Sequence, residues 1–182
     1  MNRVVVGGVG YRNLRDHSVG VAIADKLSEL AWPDGVIVED LSYNPVALQQ
    51  WLHEERFDRA VVIAAIARKG RRAGTVEAYR WDQALPPPEQ IQAAVAEAVT
   101  GVINLDNTLV VVRHFGGLPG ETAIVEVEPL DEEFGDSFSP EVADVFESVC
   151  ELVTRLAVDR DAMLQLPRAP LGGARREPAE LS

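Results

Sequence analysis

The chain has 182 residues, 47% of them hydrophobic and 25% charged, enough apolar material for one core without disulfides or structural metal. A formal net charge of −12 excludes nucleic acid as a general partner, because neutralising phosphates needs a basic footprint. Cys150 is the single cysteine, so no intrachain disulfide forms, and no stretch reaches the roughly 18–20 apolar residues of a membrane helix. Met1-Asn2-Arg3 runs straight into Val4-Val5-Val6 and glycines, too short a run for a secretory signal, and a cytoplasmic protein is expected.

The predicted elements alternate between two periodicities. Residues 3–6 form a short β-branched run ending at Gly7-Gly8, which reads as a buried strand. Over residues 17–30, Val19, Ile23, Leu27 and Leu30 recur at helical spacing, and Pro33-Asp34-Gly35 turns the chain. Val36-Ile37-Val38 predicts a second strand ending at Glu39-Asp40. Asn44-Pro45 predicts a cap and first helical position for a helix over 46–53. Residues 59–66 are wholly apolar after Arg59, as in a strand covered on both faces.

Beyond a basic run containing Arg68, Lys69, Arg71 and Arg72, residues 74–81 alternate as an edge strand would, and Pro86-Pro87-Pro88 stops them. An alanine-rich helix is predicted over 89–100, strands over 108–113 and 122–127, and a last helix over 140–157 capped by Ser139. Residues 159–182 show no period and read as a flexible C-terminal tail, leaving a single α/β domain over 1–158. Strand–helix alternation with short loops predicts a three-layer α/β/α sandwich with a mostly parallel sheet. Its ligand crevice lies beyond the carboxyl ends of the strands.

Four features at those strand ends carry chemistry. Gly8-Val9-Gly10 begins like a dinucleotide fingerprint, but the third glycine is replaced by Asn13 and Asp16-His17 would repel a pyrophosphate. The glycines therefore read as a tight turn beside a helix. Asp16 stands where a carboxylate caps the first helix, and His17 is a titratable donor. Asp40 ends the second strand and His114 ends a later one, so both share a crevice edge with His17. His53, beside Glu54 and Glu55, reads as solvent-exposed. Ser18 and Ser42 lack a nucleophile-elbow pattern, and Cys150 reads as a buried structural thiol.

Charge is uneven along the chain. Residues 114–154 contain no Lys or Arg, while acids recur from Glu121 to Glu151. Such asymmetry reads as solvated surface, or as a means of orienting a protein partner, and the basic run 68–72 allows the same two readings.

Two distant segments carry a family resemblance. Val4-Val5-Val6-Gly7-Gly8-Val9-Gly10, then Leu14-Arg15-Asp16, Gly20-Val21 and a helix closing on Leu27 form the first. Val127-Glu128-Pro129, Phe134-Gly135 and Phe138-Ser139-Pro140-Glu141-Val142 form the second, with Ala73-Gly74-Thr75-Val76 between them. The chain resembles the hydrogenase maturation endopeptidases over roughly residues 3–157. The resemblance implies a phosphorylase/hydrolase-like α/β fold and a hydrogenase large subunit or assembly intermediate as partner. Family members cut a C-terminal extension from the large subunit of a nickel–iron hydrogenase.

They sense nickel with a Glu in the first loop, an Asp ending the third strand and a His opening the third helix. The corresponding positions here are His17, with Asp16 before it, then Ala64 or Ala65, and Glu89. Tyr11 replaces the family's Asn, and Asp40 is kept. The metal-ligand candidates are thus Asp16, His17, Asp40 and Glu89, no catalytic nucleophile is assigned, and no cofactor is expected except nickel brought by the partner. With alanine at the third-strand position, the resemblance implies a divergent, chaperone-like homologue that binds without cutting. An active endopeptidase with a rearranged metal site is one alternative, and an acidic α/β interaction module outside hydrogenase assembly is another.

Overall fold

The structure is a computed structural model that describes residues 2–173. Six strands form one sheet in the order β2-β1-β3-β5-β4-β6: β1 is Val4–Val9, β2 Val36–Asp40, β3 Arg59–Ala65, β4 Val76–Trp81, β5 Glu121–Val127 and β6 Arg168–Ala169. The first four in that order are parallel, and β4 runs antiparallel to β5. The expected mostly parallel α/β sandwich is the observed architecture.

Strands β1, β3 and β5 are buried on both faces, as their unbroken apolar runs require. Helices α1 (Val19–Ser28) and α5 (Pro140–Val158) pack on one face, where Ile23, Leu27, Val149 and Val153 meet Val61, Ile63 and Val125. Helices α2 (Pro45–Glu55) and α4 (Leu105–His114) cover the other, where Leu48, Leu52, Leu105 and Leu109 meet Val5, Val62 and Ile124. Helix α3 (Pro88–Val99) lies outside α4 and packs Ala94 and Ala98 on Val110 and Val111.

Several ends are specified locally. Asn44 and Ser139 each accept a backbone N–H into the first turn of a helix that opens on proline. Arg59 reaches across the sheet to the end of α5 and donates to the carbonyls of Leu156 and Ala157 at 3.4 and 3.2 Å. Gly20 brings α1 against the sheet: a Cβ there would lie 2.6 Å from the carbonyl oxygen of Val9 and closer still to that of Ile63. Gly8 faces Gly20 from the strand side. The paired glycines thus serve close helix–strand packing.

Two expectations are corrected. Residues 108–113, expected as a strand, lie inside α4, capped by Asn104 accepting from the Asn107 N–H at 2.9 Å. Leu109-Val110-Val111-Val112 is apolar all round because α4 is sandwiched between the sheet and α3, and an all-round apolar run carries no helical period. The expected tail instead contains α6 (Arg160–Leu164) and β6, which adds a strand outside β4. Asp159 caps α6, and Met163, Ala169 and Gly173 are buried. Residues 174–182 of that expectation lie outside the described residues.

Candidate functional site

The loops leaving β1, β2 and β3 meet at the carboxyl edge of the sheet, where the crevice of such folds lies. Gly10 sits at the centre of the first group. Its N–H donates to Ser42 Oγ at 2.9 Å, and the Ser42 N–H donates to Asp40 Oδ1 at 2.9 Å. The other oxygen of Asp40 accepts from Arg12 at 3.1 Å. Arg12 also donates to both oxygens of Asp25, whose carboxyl it holds below the usual range.

His17 closes the group from the other side. A Cβ on Gly10 would strike the His17 backbone carbonyl, so glycine lets the two loops touch. The half-buried His17 ring stands edge-on to Tyr11, with centroids 5.2 Å apart, and its Nδ1 is buried without a hydrogen-bond partner. Tyr11 is itself anchored: its hydroxyl donates to the Gly101 carbonyl at 3.1 Å and accepts the Ile103 N–H.

Asp16 behaves differently from its neighbour. Its expected role was to cap the first helix, yet its side chain makes no cap contact with the 3-10 turn Arg15–Ser18 or with α1. It is completely buried and accepts four hydrogen bonds: from the N–H groups of Leu130 and Asp131 at 2.9 Å, and from Ser139 N–H and Oγ–H at 2.7 Å. Burial by itself would push its carboxyl up, but the donors together outweigh that and hold it below the ordinary value.

The backbone repeats the connection. Gly135 and Asp131 carbonyls accept from Arg15 and Asp16 N–H at 3.0 Å, and Gly135 N–H donates to Asn13 at 2.8 Å. The two distant sequence segments that carry the resemblance are therefore bonded to one another. Both carboxyl oxygens of Asp16 are engaged in that junction.

Glu89 is exposed in the first turn of α3, whose far end meets Tyr11 through Gly101. One helix length, about 17 Å, separates it from that contact. His114 is exposed at the carboxyl end of α4, roughly 12 Å along the helix from the turn that faces the strand ends. This corrects the expectation that it ends a strand beside His17 and Asp40. Among the described residues no three His, Cys, Asp or Glu side chains converge as a metal-ligand set. Asp40 reaches Gly10 only through Ser42, Asp16 is completely buried with both oxygens hydrogen-bonded, and Glu89 is distant, so these three do not converge on a resident metal with His17.

A second group lies further along the same edge. Glu126, fully buried in β5, pairs in register with Ala64 of β3 and Glu77 of β4. It accepts from Arg68 Nη2 and from the Tyr79 hydroxyl, each at 2.7 Å, and from Arg71. Arg68 also donates both Nη atoms to Asp106 in the first turn of α4, at 2.6 and 2.8 Å, and its N–H lies 2.9 Å from Glu128.

Burial raises Glu126, but Arg68, Tyr79 and Arg71 bring it net below its usual value. Tyr79 moves the opposite way: burial first, then the charge of Glu126, pushes its phenol well up and keeps it protonated. The basic run is not a solvated patch. Arg68 and Arg71 point inward, and only Lys69 and Arg72 are exposed.

This group was missed in the sequence, although one signal was present. Glu126 interrupts the apolar run Thr122-Ala123-Ile124-Val125-Glu126-Val127, and a charge inside a doubly covered strand needs a partner. Tyr79, read only as part of an alternating strand, supplies one.

No protein-family model matches the sequence, and no curated protein matches it. Solved structures do match. The hydrogenase maturating endopeptidase HybD from E. coli is 26% identical, with a TM-score of 0.65 over 88% of this chain and 93% of that one. An endopeptidase from Escherichia coli is 24% identical, with a TM-score of 0.65 over 91% and 95%. The [NiFe] hydrogenase maturation protease HycI from Thermococcus kodakarensis KOD1, 17% identical, shares the fold with a TM-score of 0.59 over 86% and 92%. The fold is that of the hydrogenase maturation endopeptidases.

Proposed function

We propose that this divergent relative of the hydrogenase maturation endopeptidases binds a hydrogenase large subunit or an assembly intermediate without cutting it. The observation that carries the reading is the position of Arg68. Its guanidinium pairs with Asp106 and Glu126, and Glu126 lies in register with Ala64, where the resemblance expects a metal-sensing acid. A peptidase that senses a partner's nickel needs free donors at that edge. Here the acids are neutralised by a cation belonging to the chain itself.

Binding is supported by the segment that Asp16 secures. Leu130 is 60% and Phe134 82% exposed, flanked by Asp131, Glu132, Glu133 and Asp136. A large aromatic held out in water by a buried carboxylate latch suits a protein contact, and the surrounding acids favour a basic partner surface. His17, half-buried beside Gly10, offers an imidazole edge through which the partner's metal would be felt.

The test is association with a purified hydrogenase large-subunit precursor, measured by size-exclusion chromatography with light scattering. The expected result is a stoichiometric complex that Phe134→Asp weakens at least about tenfold, the loss of one interface anchor. Absence of any complex at micromolar concentrations removes the hydrogenase reading and leaves an interaction module of another kind.

A further inference from the structure

The outer edge of β4 is covered by residues 166–173, and the manner of covering is that of a bound peptide. The segment carries Pro167 and Pro170, which favour an extended backbone and cannot donate to a ladder. Its contacts are made mostly through its carbonyls. Arg80 N–H donates to Pro167 O at 2.8 Å, Asp82 N–H to Ala169 O at 2.9 Å, and Arg80 Nε to Leu166 O at 3.2 Å.

Ala169 is 3% exposed against β4, and Leu171 packs against both the core cluster that contains Tyr79 and Trp81 and the apolar contact between α3 and α4. Gly172 and Gly173 follow with φ of +91° and +77°, a conformation that favours glycine. At Gly172 the segment reaches the buried acid group. Its N–H donates to the Tyr79 hydroxyl at 3.0 Å, and its carbonyl accepts from Arg71 at 2.7 Å. The same hydroxyl and guanidinium bind Glu126.

We propose that the β4 edge is a receptor for an extended polypeptide segment running parallel to it, and that residues 166–173 are a displaceable internal occupant. The edge supplies N–H donors at alternate residues, a shallow site that admits only a small side chain, an apolar site for leucine and a polar clamp on the next peptide unit. That pattern recognises a proline-bearing segment of another chain with a small residue two positions before a leucine-glycine pair. The attachment is short, a strand of two residues, the partly buried Leu166 and Leu171 and a few hydrogen bonds at the sheet margin, so it opens more readily than the doubly covered strands. Exchange of occupant is felt at Glu126 through Arg71 and Tyr79.

Amide hydrogen exchange on the full chain, with a labelled synthetic peptide of residues 165–173 as probe, tests this. The Arg80 and Asp82 amides are expected to exchange at least about 100-fold faster than those of Val62 and Val125, as local opening requires. In Leu171→Asp they exchange about tenfold faster still, while Val125 is unchanged. The peptide binds that variant saturably and restores the two protections, and a peptide carrying Ala169→Glu does neither. Exchange of Arg80 and Asp82 at the core rate would overturn the proposal, as would failure of the peptide to occupy the released edge. Should Leu171→Asp not fold, the wild-type rates decide alone.

Discussion

Ser139 donates two hydrogen bonds to Asp16 across 123 positions of sequence, one from its N–H and one from its hydroxyl. The same hydroxyl lies 3.4 Å from the Val142 N–H, so one side chain both closes the junction and caps α5. The junction fixes the segment carrying Phe134 beside the loop carrying His17.

Asp16→Asn is expected to cost about 3 kcal/mol, because an amide turns a donor toward N–H groups that need an acceptor. Urea unfolding at neutral pH measures it. A change below 1 kcal/mol would show that the latch is dispensable.

The same carboxyl makes stability depend on acid. Its folded pKa lies below the ordinary 3.8, so its contribution is complete above that value and is lost as pH falls through the folded value. Unfolding midpoints measured from pH 5 to pH 2 should fall steeply below about 3.8 in the wild type and less steeply in Asp16→Asn. Equal slopes would place the acid sensitivity elsewhere.

Glu126→Gln leaves Arg68 and Arg71 facing a neutral group inside the protein. The expected loss is roughly 3 kcal/mol, in the range for breaking a buried ion pair from one side. Calorimetry of the two proteins at the same pH checks it, and an unchanged melting temperature would mean that Asp106 and Glu77 alone compensate Arg68 and Arg71.

Gly20→Ala adds a methyl where carbonyls of two strands already stand at contact. Overpacking of this kind costs about 1–3 kcal/mol. Since the substitution also raises helix propensity, a stabilised variant would show that α1 can shift away from the sheet.

Nickel added to the isolated chain is expected to leave its melting temperature unchanged. Ligand present at about 100 times its Kd would stabilise a folded site by roughly 2.7 kcal/mol, which thermal scans resolve. A nickel-dependent rise abolished by His17→Ala would reveal a metal site that Asp16, Asp40 and Glu89 do not form in this arrangement.

The sequence was readable where one physical cause acted alone. Strands β1, β3 and β5 announce themselves through unbroken apolar runs, and Asn44-Pro45 and Ser139-Pro140 announce helix starts. Helix α4 was not readable, because packing on two sides erased its period and valines lent it the look of a strand. Asp16 was legible as a residue that matters but not as a latch, since its partners lie over a hundred positions away. The same holds for Arg68 and Glu126, which local patterning placed in a surface run and a core strand. Residues 159–173 lack periodicity because single contacts hold much of them, with α6 only five residues long and β6 two.

The proposed role, engagement of a hydrogenase subunit without cutting it, makes a prediction about the precursor itself. Intact mass measurement of a nickel-loaded large-subunit precursor, incubated with stoichiometric protein, tests it most directly. The precursor mass is expected to stay unchanged under conditions where the complex forms. Loss of the C-terminal extension, abolished by His17→Ala, would contradict it and establish an endopeptidase with a rearranged site.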